Sequence, residues 1–178
     1  MPNTKSPSIF LLQAAQGGVV NNAHVAMRLA ELILRSAIGR HQLSANWPLK
    51  VEDRGDRWII TGTAAQSNVP LPDLCCIAIC KRDAAVLLLN TEHISWDILD
   101  SASTVQKFAE ILLENTYGKA ELHRQLPFVV EDQIQTWVVN GSGNADRQVD
   151  GPGPYHIEVR KRDGRVIDIW LAYTLKQQ

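Results

Sequence analysis

The sequence lacks a disulfide framework, a long apolar run and an excess of either charge, and each absence removes a class of protein. Its three cysteines, Cys75, Cys76 and Cys80, crowd into one short stretch of the 178 residues, unlike the distributed pairs of small secreted scaffolds. That placement predicts free thiols and a reducing compartment. Near the N-terminus, Lys5 precedes Ser8-Ile9-Phe10-Leu11-Leu12, but Gln13 breaks the run before it reaches the roughly 7–15 apolar residues of a signal-peptide core. No run approaches the roughly 18 apolar residues of a membrane span. The expectation is a cytoplasmic protein with no membrane partner. Eighteen Lys and Arg stand against nineteen Asp and Glu, a formal net charge of −1, so no broad basic field draws in nucleic acid. A hydrophobic content of 45% and a charged content of 21% place the chain among folded globular proteins.

Catalytic signatures are equally scarce. There is no Gly-x-Ser-x-Gly elbow and no His-Glu-x-x-His helix. Gly141-Ser142-Gly143 follows a strand-like segment, but Asp146 occupies the third glycine position of a dinucleotide loop and Pro152 arrives where a helix should run. The cysteine spacing does not fit a zinc knuckle. His24, His41, His93 and His123 are spread over helix start, connectors and linker and read as surface residues. Glu52-Asp53 and Glu131-Asp132 are paired carboxylates of the kind that serve acid–base chemistry, but each pair closes a strand just before a turn, where acidic residues are common. Arg54-Gly55-Asp56 has Gln133-Ile134-Gln135 as its counterpart and reads as a tolerant turn. Asn140-Gly141-Ser142 is a glycosylation sequon only in a secreted chain. No catalytic residue, metal or cofactor is expected.

What the sequence does contain is itself, twice. Ala30-Glu31, Gly39, Leu43, Pro48, Val51-Glu52-Asp53, Trp58 and Gly62 return, each 79 positions later, as Ala109-Glu110, Gly118, Leu122, Pro127, Val130-Glu131-Asp132, Trp137 and Gly141. Lys81-Arg82-Asp83 returns as Lys161-Arg162-Asp163 at an offset of 80. The chain is a tandem duplication. A unit of about 70 residues supports only a marginal core alone, which predicts two copies packed as one body. The boundaries follow as an N-terminal extension over 1–22, a first repeat over 23–90, a linker over 91–103 and a second repeat over 104–178.

Each unit opens on a helix. Val25, Leu29, Leu32, Ile33 and Ser36 form one face, with Thr104, Phe108, Ile111, Leu112 and Asn115 as equivalents, the stripe of a helix lying on a core. Gly39 and Gly118 fall where glycine permits a left-handed helix stop, and a connector ending in Pro48 or Pro127 follows. The period then changes to two. Leu49–Asp53, Arg57–Thr63, Cys75–Lys81 and Val86–Leu89 read as four strands, repeated as Phe128–Asp132, Thr136–Ser142, Tyr155–Lys161 and Val166–Tyr173. Between the second and third strands lie the longer loops 64–74 and 143–153. A helix followed by an antiparallel meander is an α+β unit whose helix covers one sheet face.

Alternation then separates the two sheets. With Trp137, Val139, Tyr155, Ile157, Val159, Ile167, Ile169 and Leu171 turned to the helix, the second sheet's other face shows Thr136, Val138, Asn140, His156, Glu158, Arg160, Asp168 and Trp170. The corresponding face of the first sheet holds Arg57, Ile59, Thr61, Cys76, Ala78, Cys80, Val86 and Leu88. That mostly apolar set predicts cover on both faces, by the N-terminal segment or the second copy. The second sheet's open face is left as the candidate partner-binding surface, centred on His156, Glu158, Arg160, Asp168 and Trp170. Trp58 and Trp137 match across the repeat and read as core, whereas Trp47, Trp96 and Trp170 have no counterparts and read as contact residues, tryptophan being enriched in binding hot spots.

Ala109-Glu110-Ile111-Leu112, Tyr117-Gly118-Lys119, Gln125-Leu126-Pro127-Phe128, Trp137-Val138-Val139-Asn140-Gly141 and the run Ile157 to Val166 resemble the bacterial immunity proteins with a nuclear-transport-factor-two-like, cystatin-like fold. The resemblance spans nearly all of the second copy and, more weakly, residues 25–89. The turn Gly151-Pro152-Gly153 is replaced in the first copy by Pro70-Leu71-Pro72. The resemblance implies a non-enzymatic cytoplasmic protein that binds and neutralises a cognate toxin delivered by neighbouring cells. Two other classes stay open on the residues alone: a small-molecule-binding or isomerase-like enzyme of the same broad fold, which needs a deep pocket with convergent acid–base groups, and a peptide-binding module.

Overall fold

The computed structural model describes residues 18–63, 74–90, 97–142 and 151–174. The expectations placed on the N-terminal run, on Trp96 and His93 and on most of loops 64–74 and 143–153 lie outside the described residues. The protein is α+β, with two antiparallel meanders in strand orders β1-β2-β3-β4 and β5-β6-β7-β8. Helix α1 (Ala23–Ala45) leads into β1 (Leu49–Asp53), β2 (Arg57–Gly62), β3 (Cys76–Cys80) and β4 (Val86–Asn90). Helices α2 (Ala102–Tyr117) and α3 (Lys119–Gln125) lead into β5 (Phe128–Asp132), β6 (Thr136–Gly141), β7 (Gly151–Arg160) and β8 (Val166–Thr174). Each long helix is capped by a polar side chain at equivalent positions: Asn22 Oδ1 accepts from Val25 N, and Ser101 Oγ from Thr104 N. One continuous core runs through both units, from Leu29, Ile33, Ile60 and Ile77 to Phe108, Leu112, Val139 and Ile157.

Three local expectations are corrected. Gly39 and Gly118 do stop the helices, at φ 78°, ψ 163° and φ 87°, ψ 163°, but this is a positive-φ extended conformation open essentially to glycine alone, and not the left-handed helical turn. The connectors that follow are themselves helical, as the end of α1 and as α3, because a glycine bend lets the helix restart on a new axis. Finally, Ile167 is 53% exposed while Val166 is 8% exposed. Val159 pairs with Val166 and Glu158 with Asp168, so Ile167 is the extra residue of a β-bulge and simple alternation fails there. Leu87 sits in the equivalent bulge between Val86 and Leu88.

The units are joined as a fused symmetric pair. Val86 N donates to the Asp163 carbonyl and Val166 N to the Asp83 carbonyl, both at 2.8 Å. These four positions exchange under the repeat, so the contact is isologous in the manner of a two-fold dimer. The recurring Lys-Arg-Asp block is explained by this junction. Asp83 and Asp163 cap their own turns through Ala85 N and Arg165 N while their carbonyls hold the other unit. Lys81 sits 4.3 Å above the Trp58 ring and 2.6 Å from Asp53, and Lys161 lies 4.6 Å above Trp137 and pairs with Asp132. The paired carboxylates are thus structural at Asp53 and Asp132. Trp58 Nε1 donates to Val20 O and Trp137 Nε1 to Leu99 O, which ties the segment before each helix to its sheet.

Within the core, Tyr155 is fully buried between Tyr117 and Phe128, and among the described residues its hydroxyl has no hydrogen-bond partner. Burial pushes its pKa well above the usual tyrosine value. An unmade buried hydrogen bond costs about 1–3 kcal/mol, so Tyr155→Phe should leave stability unchanged or raise it by about 1 kcal/mol. Urea denaturation measures this; a loss above that size would show that the hydroxyl has a partner.

Candidate functional site

The open face of the second sheet is built in cross-strand rows. Register places Val129, Asn140, His156 and Trp170 side by side across β5 to β8, and Glu131, Val138, Glu158 and Asp168 in the next row. The imidazole of His156 stacks on the Trp170 indole with centroids 4.8 Å apart and planes 16° from parallel. His156 Nδ1 lies 2.8 Å from Asn140 Oδ1, within hydrogen-bond distance. Trp170 Nε1 donates to Asp168 Oδ2 at 3.1 Å. His156, Trp170, Asp168 and Asn140 therefore form one linked cluster.

The second row carries the charge. Glu158 lies directly opposite Asp168, and Glu131 lies beyond Val138 on the same row. Like charges directly opposite one another destabilise an antiparallel pair. Val138, only 7% exposed, separates Glu158 from Glu131. The result is a flat acidic stripe beside an aromatic stack. Residues Val129 and Glu131 were not singled out from sequence as site members; the signal was present, because β5 alternates like its neighbours, but its place beside β6 depends on register.

Arg160 does not join this cluster. It lies in the same strand, but its guanidinium is held by both carboxylate oxygens of Asp163, a residue whose carbonyl carries the junction with the first unit. Partial burial alone would raise the Asp163 pKa; Arg160 and the Arg165 amide overcome this and hold the carboxyl below its usual value. A carboxylate whose pKa is depressed by folding contributes stability above its unfolded value and loses it as pH falls through the folded one. Asp163→Asn should therefore flatten the acid limb of the stability curve below about pH 4, as read by urea melts across pH. An unchanged acid limb would contradict the pairing.

The first unit shows the same positions without this chemistry. Its rows are Lys50, Thr61, Cys76, Asn90 and Glu52, Ile59, Ala78, Leu88. The expectation that this apolar face is covered holds at Ala78, 2% exposed, and fails at Leu88, 52% exposed. Val86, assigned to that face from sequence, is half-buried against the core. Cys75 and Cys76 are free thiols whose pKa is raised by burial, and buried thiols of raised pKa make poor nucleophiles. Trp47 is 45% exposed and lies in the connector between α1 and β1 of the first unit. Among the described residues no helix is long and apolar enough to cross a membrane.

The architecture agrees with what the chain is similar to. The sequence model of the family described as NTF2 fold immunity protein matches residues 25–93 and again residues 104–172. A curated relative, the "Uncharacterized protein YhhH" of Escherichia coli (strain K12), is 29% identical over 72 residues, which is 40% of this chain and 55% of the relative. The chain thus spans about half the length of that relative. No solved structure matches the chain. Two matches to one family, each starting within a long helix and ending after or within a fourth strand, account for both sheets. The chain belongs to the NTF2 fold immunity protein family, with two copies of the family's unit in one polypeptide.

Proposed function

We propose that this protein binds a cognate bacterial toxin and neutralises it by covering the toxin's active site or substrate groove, with the open face of the second sheet as the contact surface. The observation that carries the reading is the difference between two equivalent faces. Where the first unit has Cys76, Ala78, Leu88 and Asn90, the second has His156, Glu158, Asp168 and Trp170. A stacked tryptophan offers area at low entropic cost, and the acidic row faces a partner with basic groups. The partner supplies cations that relieve the Glu158–Asp168 repulsion, so complementarity both steers association and holds the complex. The toxin enzyme groove is then positively charged, as in an enzyme acting on phosphate-bearing substrates. The protein acts in the cytoplasm and does so without catalysis or cofactor.

The test is capture of the partner from the native bacterium with this protein as bait, followed by co-expression of what is captured. A single partner that kills cells unless this chain is present supports the reading. A co-purifying small molecule or peptide with no toxic protein would transfer support to the pocket or peptide-module alternatives.

A further inference from the structure

A second surface lies at the outer edge of β4, where the units diverge from their junction. A cleft of about 430 Å³ runs there, lined by Val86, Leu87, Leu88 and Leu89 together with Ile98, Arg162 and Asp163, the Asp163 carboxylate being already held by Arg160. Leu87 and Leu88 are 47% and 52% exposed. β4 is terminal in its sheet. Its first residue already donates outward, from Val86 N to the Asp163 carbonyl, and among the described residues no outward hydrogen bond continues from Leu87 to Asn90. An unpaired strand edge is a template for another chain.

The duplication supplies an internal comparison. Under the repeat, Leu87, Leu88, Leu89, Ile98 and Arg162 correspond to Ile167, Asp168, Ile169, Val19 and Arg82. There Val19 N is bonded to the Arg82 carbonyl and Arg82 lies 3.5 Å from Asp83. On the β4 side, leucines stand where β8 has Ile167, Asp168 and Ile169. Ile98 makes no matching bond to Arg162 among the described residues, and Arg162 is an exposed cation without an ion pair there. Ile167 is as exposed as Leu87, so the copies differ chiefly in charge: Asp168 stands on β8 where Leu88 stands on β4, beside the cleft that Arg162 and Asp163 close at one end.

We infer that the outer edge of β4 accepts an extended segment of a protein partner by strand addition, continuing the ladder begun by Val86 and Asp163, with apolar side chains on Leu87 and Leu88 and a carboxylate on Arg162. Main-chain bonds along an edge supply affinity, and alternate side-chain pockets supply selectivity. The site is separate from the acidic face and does not depend on it.

A random heptapeptide display library selected against the whole protein tests this, followed by hydrogen exchange with the most enriched peptide. The expected result is enrichment of alternating apolar sequences with an acidic residue, slowed exchange of the Leu87–Asn90 amides, and about tenfold weaker binding to Arg162→Glu. Leu88→Thr keeps strand propensity and should also weaken binding, whereas Glu158→Lys should not. No enrichment, enrichment indifferent to Arg162→Glu in a protein of unchanged circular dichroism, or binding without protection at β4 would each overturn the inference.

Discussion

Replacing Gly141 by alanine is expected to destabilise the protein by about 3–5 kcal/mol, a large part of the roughly 5–15 kcal/mol that holds a domain folded. A Cβ at Gly141 would collide with Oε1, Cβ and Cδ of Gln125. That side chain has nowhere to go, because Gln125 is fully buried and each end of its amide is engaged. Oε1 accepts from Tyr155 N at 2.9 Å, and Nε2 donates to Glu121 Oε1 at 2.7 Å and to the Gly153 carbonyl at 3.0 Å. Moving it strands buried donors and acceptors at about 1–3 kcal/mol each, added to the overpacking itself. The first unit repeats the device with Asn46, whose Oδ1 accepts from Cys75 N at 2.9 Å and would stand 2.5 Å from a Cβ on Gly62. Gly118→Ala separates steric clash from backbone strain. That glycine has φ 87° and open space around it, so its cost should be the smaller 1–3 kcal/mol of strain alone. Urea melts of the two variants decide; equal losses would mean that the amide latch yields.

Reversing charge at both Glu158 and Asp168 to lysine is the second large effect, and it concerns binding. Among the described residues neither group makes an ion pair, so folding should be preserved and the unfavourable like-charge contact merely changes sign. Against a basic partner, each reversal replaces attraction by repulsion across a desolvated contact, where truncating one charge alone typically costs about 2–5 kcal/mol. The double variant should therefore bind the toxin at least about a hundredfold more weakly and fail to protect cells in co-expression. Glu52→Lys reverses the acidic residue of the corresponding row on the first sheet and should leave protection intact. Unchanged affinity after Glu158→Lys and Asp168→Lys would remove this face from the interface.

Much of this was legible in the chain. The offset of 79 residues located both helices, both glycine stops and the strands that share a register. Alternation alone put His156, Glu158, Asp168 and Trp170 on one face, because β7 and β8 are regular from Ile157 to Trp170 except at one bulge. What failed were features set by tertiary context. The bulge at Ile167 moved one side chain outward and brought Val166 into the core. Arg160 has the right parity for the open face, but a carboxylate three residues on in the turn, Asp163, captured it. The connectors looked like loops because a glycine and a proline bracket them, yet seven residues between such breaks make α3. Asn46 and Gln125 carried a signal that pattern reading passed over: two amides 79 positions apart, each just before the residue that precedes a proline. Their role appears only when the glycines of β2 and β6 are seen beneath them.

One face of one unit is proposed to hold the toxin. Hydrogen exchange of this protein, free and bound to the captured toxin, decides whether it does. Slowed exchange is expected across Thr136–Asn140, His156–Arg160 and Asp168–Trp170, greatest in the rows of His156 and Glu158. A bound toxin that leaves those three segments exchanging as in the free protein would contradict it.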